Sequence, residues 1–358
     1  MRITDINLDR SSNNFDAIRL IAAFFVLIGH SPAILLNREL EWDPFLQMFG
    51  KSIHFTGVLI FFTISGFLIT RSWEFKKNIL EFFIARFLRI FPALICVIIL
   101  SVFVLGALIT KYEISDYLSS PITARYLQGM TLYRMNYYLP GVFETNPIGS
   151  SINGSLWTLP YEFTCYLFLM CFSILNIKNN KWYALFSLIF LAISYLLFQG
   201  IIDRIVIPIL GIDLKTFFPL FLYFFSGSVY FHFIKFIPFN LSGLLVCGIL
   251  IILLKNNFLP ELLLALILPY LIFSFAFSKK IKIFNSGKFG DFSYGIYLYA
   301  FPIQQLIVYS LPIKISLSTM IFLSIGFTFP FAILSWKFIE KPALFLRRNL
   351  LSFDKYKI

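Results

Sequence analysis

The sequence predicts an all-α, polytopic membrane protein of about ten transmembrane helices with both termini in the cytoplasm. Three observations carry that expectation. Of 358 residues, 59% are hydrophobic and only 13% are charged, against about 25% charged in soluble domains. The apolar residues gather in stretches close to the ~20 residues that a spanning helix requires. The basic residues sit at the ends of those stretches, and most of them fall on one side once the spans are drawn.

The expected spans are 17–36, 54–71, 91–110, 155–176, 182–199, 216–234, 240–254, 259–277, 291–310 and 318–338. They divide the chain into a cytoplasmic segment 1–16, a membrane domain 17–338 and a cytoplasmic tail 339–358. The N-terminus, MRITDINLDRSSNN, lacks the apolar core of a cleavable signal, so span 17–36 is expected to stay as the first helix. Arg2, Arg10, Arg19, Arg71, Lys76, Lys77, Arg86 and Arg89 share the side of the N-terminus with Lys178, Lys181, Lys235 and the basic residues of 279–288 and 337–357. Arg38, Arg125 and Arg204 are among the minority opposite. Cytoplasmic loops hold such an excess, which puts both termini inside and makes the helix number even. The net charge of +12 therefore reads as topology rather than as nucleic-acid binding. Cys96, Cys165, Cys171 and Cys247 all lie in apolar stretches without metal-ligand spacing, so neither a disulfide nor a metal site is expected.

Two segments depart from a plain span. In 78–90, NILEFFIARFLRI, charged Glu81, Arg86 and Arg89 interleave with Phe and Leu ahead of Pro92. That pattern predicts an amphipathic helix lying at the cytoplasmic interface. Residues 111–154 form a long outer loop rich in tyrosine, including Tyr117, Tyr126, Tyr133, Tyr137 and Tyr138. Loops of that length are functional or disordered, and the aromatic content argues for order.

Few ionisable residues fall inside the apolar stretches, and those that do are candidates for chemistry. Arg19 and His30 are eleven residues apart, on one face of the first helix and separated by about 16 Å of rise. A deep neutral imidazole suits a general base; its bland alternative is a core histidine bonded to a neighbouring helix, and that of Arg19 is a snorkelling anchor. Glu162 is the one acid of span 155–176, and a membrane carboxylate must pair with a cation or take up a proton. It belongs either to an ion pair between helices or to an active site. Arg86 and Arg89, three apart, share a helix face; paired guanidiniums suit a phosphate donor or anionic lipid headgroups. His54 and His232 lie near span ends and read as interface residues. Asn153-Gly154-Ser155 matches a glycosylation sequon, a short and weak pattern.

Several strings together resemble the acyltransferase 3 family of integral membrane O-acyltransferases. FDAIRLIAAFFVLIGH is similar to its Arg-x10-His helix, matched by Arg19 and His30. GVLIFFTISGFLIT (57–70), ARFLRIFP (85–92), SLWTLPYEF (155–163) and WKFIEKP (336–342) resemble further family motifs in the family's order. FSYGIYLYAFPIQQ (292–305) resembles another, except that Ala300 stands where histidine is common. The family also has members with a fused esterase-like domain; the chain runs about 20 residues past its last expected span, which implies the standalone form.

The resemblance implies a membrane enzyme that takes an acyl group, with acetyl first among the expectations, from cytoplasmic acyl-CoA. The acceptor it implies is a hydroxyl of an extracytoplasmic glycan such as O-antigen, capsule or exopolysaccharide. Acyl-CoA is then a substrate and no bound cofactor is expected. His30 takes the role of general base, with Glu162 orienting it or binding substrate, and Arg19, Arg86 and Arg89 hold the donor. Asn153, Trp157 and Tyr161 are expected at the acceptor, with membrane lipids around the protein and a bacterial inner membrane as its location. The competing reading is a transporter or flippase of a glycan or small anion; it predicts internal repeats and paired broken helices, and the sequence contains neither.

Overall fold

The computed structural model describes residues 13–38, 43–76, 78–174, 206–207, 212–254, 261–278, 289–311 and 315–352, with a few further positions between 182 and 193 and between 280 and 283. The expected span 182–199 falls largely outside the described residues. The described chain is helical almost throughout; its one strand pair is the short antiparallel β1 (Val206–Ile207) and β2 (Ile212–Asp213).

Among the described residues, five helices are long and apolar enough to cross a membrane. They are α1 (Phe15–Leu36), α3 (Ile53–Lys76), α4 (Ile79–Leu100, prolonged to Ile109), α8 (Leu214–Phe233) and α12 (Leu317–Ser335, prolonged beyond Trp336). Between them lie the short α2 (Pro44–Phe49), α5 (Ile114–Ser119) and α6 (Pro121–Leu127), then α7 (Leu159–Ile174) behind a 3-10 turn, Gly154–Thr158. The shorter apolar α9 (Leu241–Leu254) and α10 (Glu261–Ala276) precede α11 (Ser293–Ser310), and α13 (Lys341–Ser352) follows α12. The fold is that of an all-α polytopic membrane protein.

Helix α3 is the hub, packed between α1 and α8. Its crossing with α8 depends on two glycines. A Cβ on Gly66 would stand 1.8 Å from the Phe224 carbonyl oxygen, and one on Gly227 would stand 2.0 Å from that of Thr63. Small residues let membrane helices approach to backbone contact, and Thr70 donates across the same seam to Ser228 at 2.8 Å. Asn14 fastens the start of α1 through its side-chain amide, which donates to the Phe275 and Ile281 carbonyls.

Two differences from the sequence reading bear on the site. Residues 78–90 do not lie apart from the following span: α4 runs unbroken from Ile79 to Ile109 through Pro92. Proline removes only one donor, and membrane helices tolerate it where neighbours satisfy the freed backbone groups. Near that point Tyr294 donates to the Ile90 carbonyl at 2.9 Å. Further along, in the π-helical stretch Ser101–Gly106, the Tyr117 hydroxyl donates to the Val102 carbonyl. The second difference is at the C-terminus. The expected tail continues α12 through a π-helical turn, Trp336–Glu340, into α13, which packs against α4.

The outer region 111–154 is ordered, and its tyrosines divide into two groups. Tyr117 and Tyr126 are buried and serve packing, whereas Tyr138 is 52% exposed. Gln305 of α11 stitches the region down, donating to the Gly149 and Ser151 carbonyls and receiving the Asn146 amide.

Candidate active site

A cavity of about 140 Å³ opens between α3, α4, α7 and α11. On α3 the lining residues Val58, Phe61, Phe62, Ser65, Leu68 and Ile69 recur every three to four positions, so one stripe of that helix faces it. Helix α4 contributes Ala85, Arg86, Arg89 and Ile90, and the start of α7 contributes Thr158, Glu162 and Tyr166. Tyr294 and Tyr297 enter from α11, Arg19 from α1 and Leu344 from α13. Of the residues expected to act, Arg19, Arg86, Arg89 and Glu162 are therefore brought together.

The arginines are not equivalent. Arg89 is held by two carboxylates, Asp291 at 2.8 Å and Glu340 at 3.3 Å, and its guanidinium lies 5.3 Å from the Tyr294 ring centroid. Asp291 also binds Arg19 at 2.5 Å. Ser293 and Ser335 donate to Asp291 and Glu340 respectively. Two cations and two carboxylates thus neutralise one another at the basic end of the bundle and tie α1, α4, α11 and α12 together. Buried charges require such pairing. The Arg86 guanidinium lies 5.9 Å from the ring centroids of Phe82 and Tyr166. Glu162 accepts hydrogen bonds from Ser65, at 3.1 Å, and from Tyr166.

His30 is not among the residues that line the cavity. It lies six residues before the end of α1, about 9 Å of rise from its outer terminus. Its ring stacks on His54 of α3, centroids 4.9 Å apart at 28°, and meets Phe301 of α11 edge-on at 5.4 Å. His54 is therefore no lone interface residue; Ser52 Oγ lies 3.3 Å from its Nε2.

The three residues expected at the acceptor also lie outside the cavity lining. Asn153 is buried, and its amide donates to the Leu298 carbonyl at 2.8 Å. Pro302, four residues on, supplies no N–H to that carbonyl, so Asn153 fills the place of a helix hydrogen bond. With its amide so engaged, the sequon has no structural support. Trp157 stacks on Phe55, centroids 6.4 Å apart at 7°, and meets Tyr161 edge-on. The Tyr161 hydroxyl accepts the Asp213 N–H at 3.1 Å. Burial raises the phenol of Tyr137, on the outer side, to about 12.

Sequence reasoning missed Asp291, Glu340, Ser65, Tyr166, Tyr294, Tyr297 and His54. A usable signal existed for the first two, since each is an acid beside an apolar span on the basic side of the membrane. Ser65, Tyr294, Tyr297 and Glu340 also fall inside the motif strings, which by themselves assign no role.

A family model described as an acyltransferase domain, acyltransferase 3, matches residues 12–337. The O-acetyl transferase of Shigella phage Sf6 is 30% identical over 364 residues, covering 96% of this chain and 99% of that protein. Nodulation protein 10 of Rhizobium leguminosarum bv. viciae is 37% identical over 161 residues, covering 43% of this chain and 42% of its own. No solved structure matches the chain significantly. A match over nearly the whole sequence, in a protein built of membrane-crossing helices, identifies the chain as a member of this acyltransferase family and as an integral membrane acyltransferase.

Proposed function

We propose that the protein is an O-acyltransferase of the bacterial inner membrane that moves a short acyl group, acetyl first, from cytoplasmic acyl-CoA to a hydroxyl of an extracytoplasmic glycan. The observation that carries this reading is the cavity. It has arginines at its basic end and apolar walls leading inward from them, which suits a ligand with an anionic head and a long neutral arm. Arg86 offers a charge-assisted contact to phosphate, and the arm follows the α3 stripe toward Glu162 and Tyr297.

In the transfer, the acceptor oxygen bonds to the thioester carbonyl carbon as its proton passes to His30. The carbon–sulfur bond then breaks, and the coenzyme A thiolate takes that proton from His30. The basic end of the bundle lies in the cytoplasm by the charge asymmetry, and His30 lies nearer the other end. The name of the phage relative supports acetyl as the acyl group and oxygen as the acceptor atom. Family membership speaks against the transporter reading.

Purified protein supplied with acetyl-CoA and a glycan extract of the host surface tests the proposal. Release of free thiol in step with the mass gain of one acetyl group replacing a hydroxyl hydrogen on the glycan is the expected result. Acetyl-CoA left intact across a range of acyl lengths and acceptors contradicts it.

A further inference from the structure

Tyr297 and Phe301 stand one turn apart on one face of α11. Tyr297 lines the cavity, and Phe301 meets His30. One turn of helix is about 5.4 Å, so the inner end of the cavity lies about one turn from the residue that touches the imidazole. Phe61 flanks Tyr297 from α3. Its ring lies 6.0 Å from that of Tyr297 at 76°, and it also packs against the cluster of Ala23, Leu27 and Ala300.

Tyr297 is held firmly in this place. Its hydroxyl donates to the Ser155 carbonyl at 2.6 Å and pairs with the Thr158 hydroxyl. One turn along α11, a Cβ on Gly154 would stand 2.8 Å from the Phe301 ring. On either side of Gly154 lie Asn153 Oδ1 and Ser155 Oγ, both buried and without a hydrogen-bond partner among the described residues. Buried polar atoms are normally satisfied, and these two suit a hydroxyl-bearing guest beside His30.

We propose that Tyr297, with Phe61 against it, sets the length of the acyl group that the protein transfers. The proposal rests on the acyl-CoA reading above. A thioester at the inner end of the cavity presents its carbonyl carbon toward His30, and the acyl tail must then occupy the volume beside these two rings. Both rings are packed and one is doubly hydrogen-bonded, so the space cannot be made by moving a side chain. A two-carbon group is accepted and each further methylene is penalised. Tyr297 takes no part in the exchange of bonds or of the proton.

The test is kcat/KM for acetyl-, butyryl- and hexanoyl-CoA with the wild type, Tyr297→Phe, Tyr297→Val and Phe61→Val. The wild type and Tyr297→Phe should both favour acetyl, because the ring and not the hydroxyl fills the space. Tyr297→Val and Phe61→Val should each raise the butyryl-to-acetyl ratio tenfold or more, one methylene in a tight apolar pocket being worth about 10–200-fold. A purely structural role would lower all three donors alike and leave the ratio unchanged. Where Tyr297→Val does not insert, Phe61→Val decides. An unchanged ratio in an inserted Tyr297→Val or Phe61→Val protein overturns this proposal alone. A wild type that turns over none of the donors overturns the acyl-CoA reading and this proposal with it.

Discussion

His30 is the side chain whose removal should cost activity rather than architecture. His30 contacts its neighbours through ring faces and edges, so His30→Ala should insert and fold while turnover falls by about 10²–10⁴. Wild-type turnover in that variant would remove it from the mechanism. For the arginines the structure separates two effects that sequence spacing alone treats as one. Arg86→Ala should raise the KM for acyl-CoA by about tenfold or more, as loss of a charge-assisted phosphate contact worth roughly 1.5–3 kcal/mol. Arg89→Ala removes the cation that Glu340 shares with Asp291, carboxylates 2% and 5% exposed, and leaves Asp291 to Arg19. Breaking a buried pair costs about 3–5 kcal/mol, so this variant should lose thermal stability in detergent before any donor effect is measured. A melting temperature for Arg89→Ala equal to that of the wild type would contradict this. Sequence revealed Arg19, His30, Arg86, Arg89 and Glu162 because ionisable residues in apolar stretches are conspicuous. It concealed Asp291 and His54, whose partners lie 272 and 24 residues away along the chain, at Arg19 and His30.

At the scale of elements, Pro302 and Pro269 inside helices are each matched by a side chain from elsewhere. Asn153 serves the Leu298 carbonyl ahead of Pro302, and Ser226 donates at 2.6 Å to the Ala265 carbonyl, four residues ahead of Pro269. Asn153→Ala should therefore destabilise the protein by about 1–3 kcal/mol, the cost of a stranded buried carbonyl. In a Pro302→Ala background, which restores the helix N–H, the same change should cost distinctly less. A penalty of equal size in both backgrounds would show that Asn153 acts in some other way. The sequence misled at another proline. Pro92 read as the boundary between an interfacial helix and a span, yet α4 continues through it, since a proline removes only one donor and membrane helices tolerate that loss. Long apolar runs such as α1, α3 and α8 were legible at nearly their observed bounds, because length and hydrophobicity decide them. Continuations such as α12 into α13 were not, since Lys337, Glu340 and Lys341 end the apolar run while the helix goes on.

At the scale of the molecule, Arg19, Arg86 and Arg89 lie toward one end of the helical bundle and the His30–His54 pair toward the other, with Tyr297, Phe61 and Phe301 between them. On the proposed function, that separation serves an enzyme that draws on a donor made inside to modify a glycan held outside. The positions of Arg19 and His30 on α1 measure it, eleven residues and about 16 Å apart, in a hydrocarbon core about 30 Å thick. Neither substrate then needs to cross the membrane. The most direct measurement uses sealed vesicles of known orientation, with radiolabelled acetyl-CoA on one side and the glycan acceptor confined to the other. Labelled glycan should form when acetyl-CoA is on the side of Arg86 and the glycan is on the side of Tyr138. Product formed only when both substrates share a compartment would contradict the two-sided arrangement.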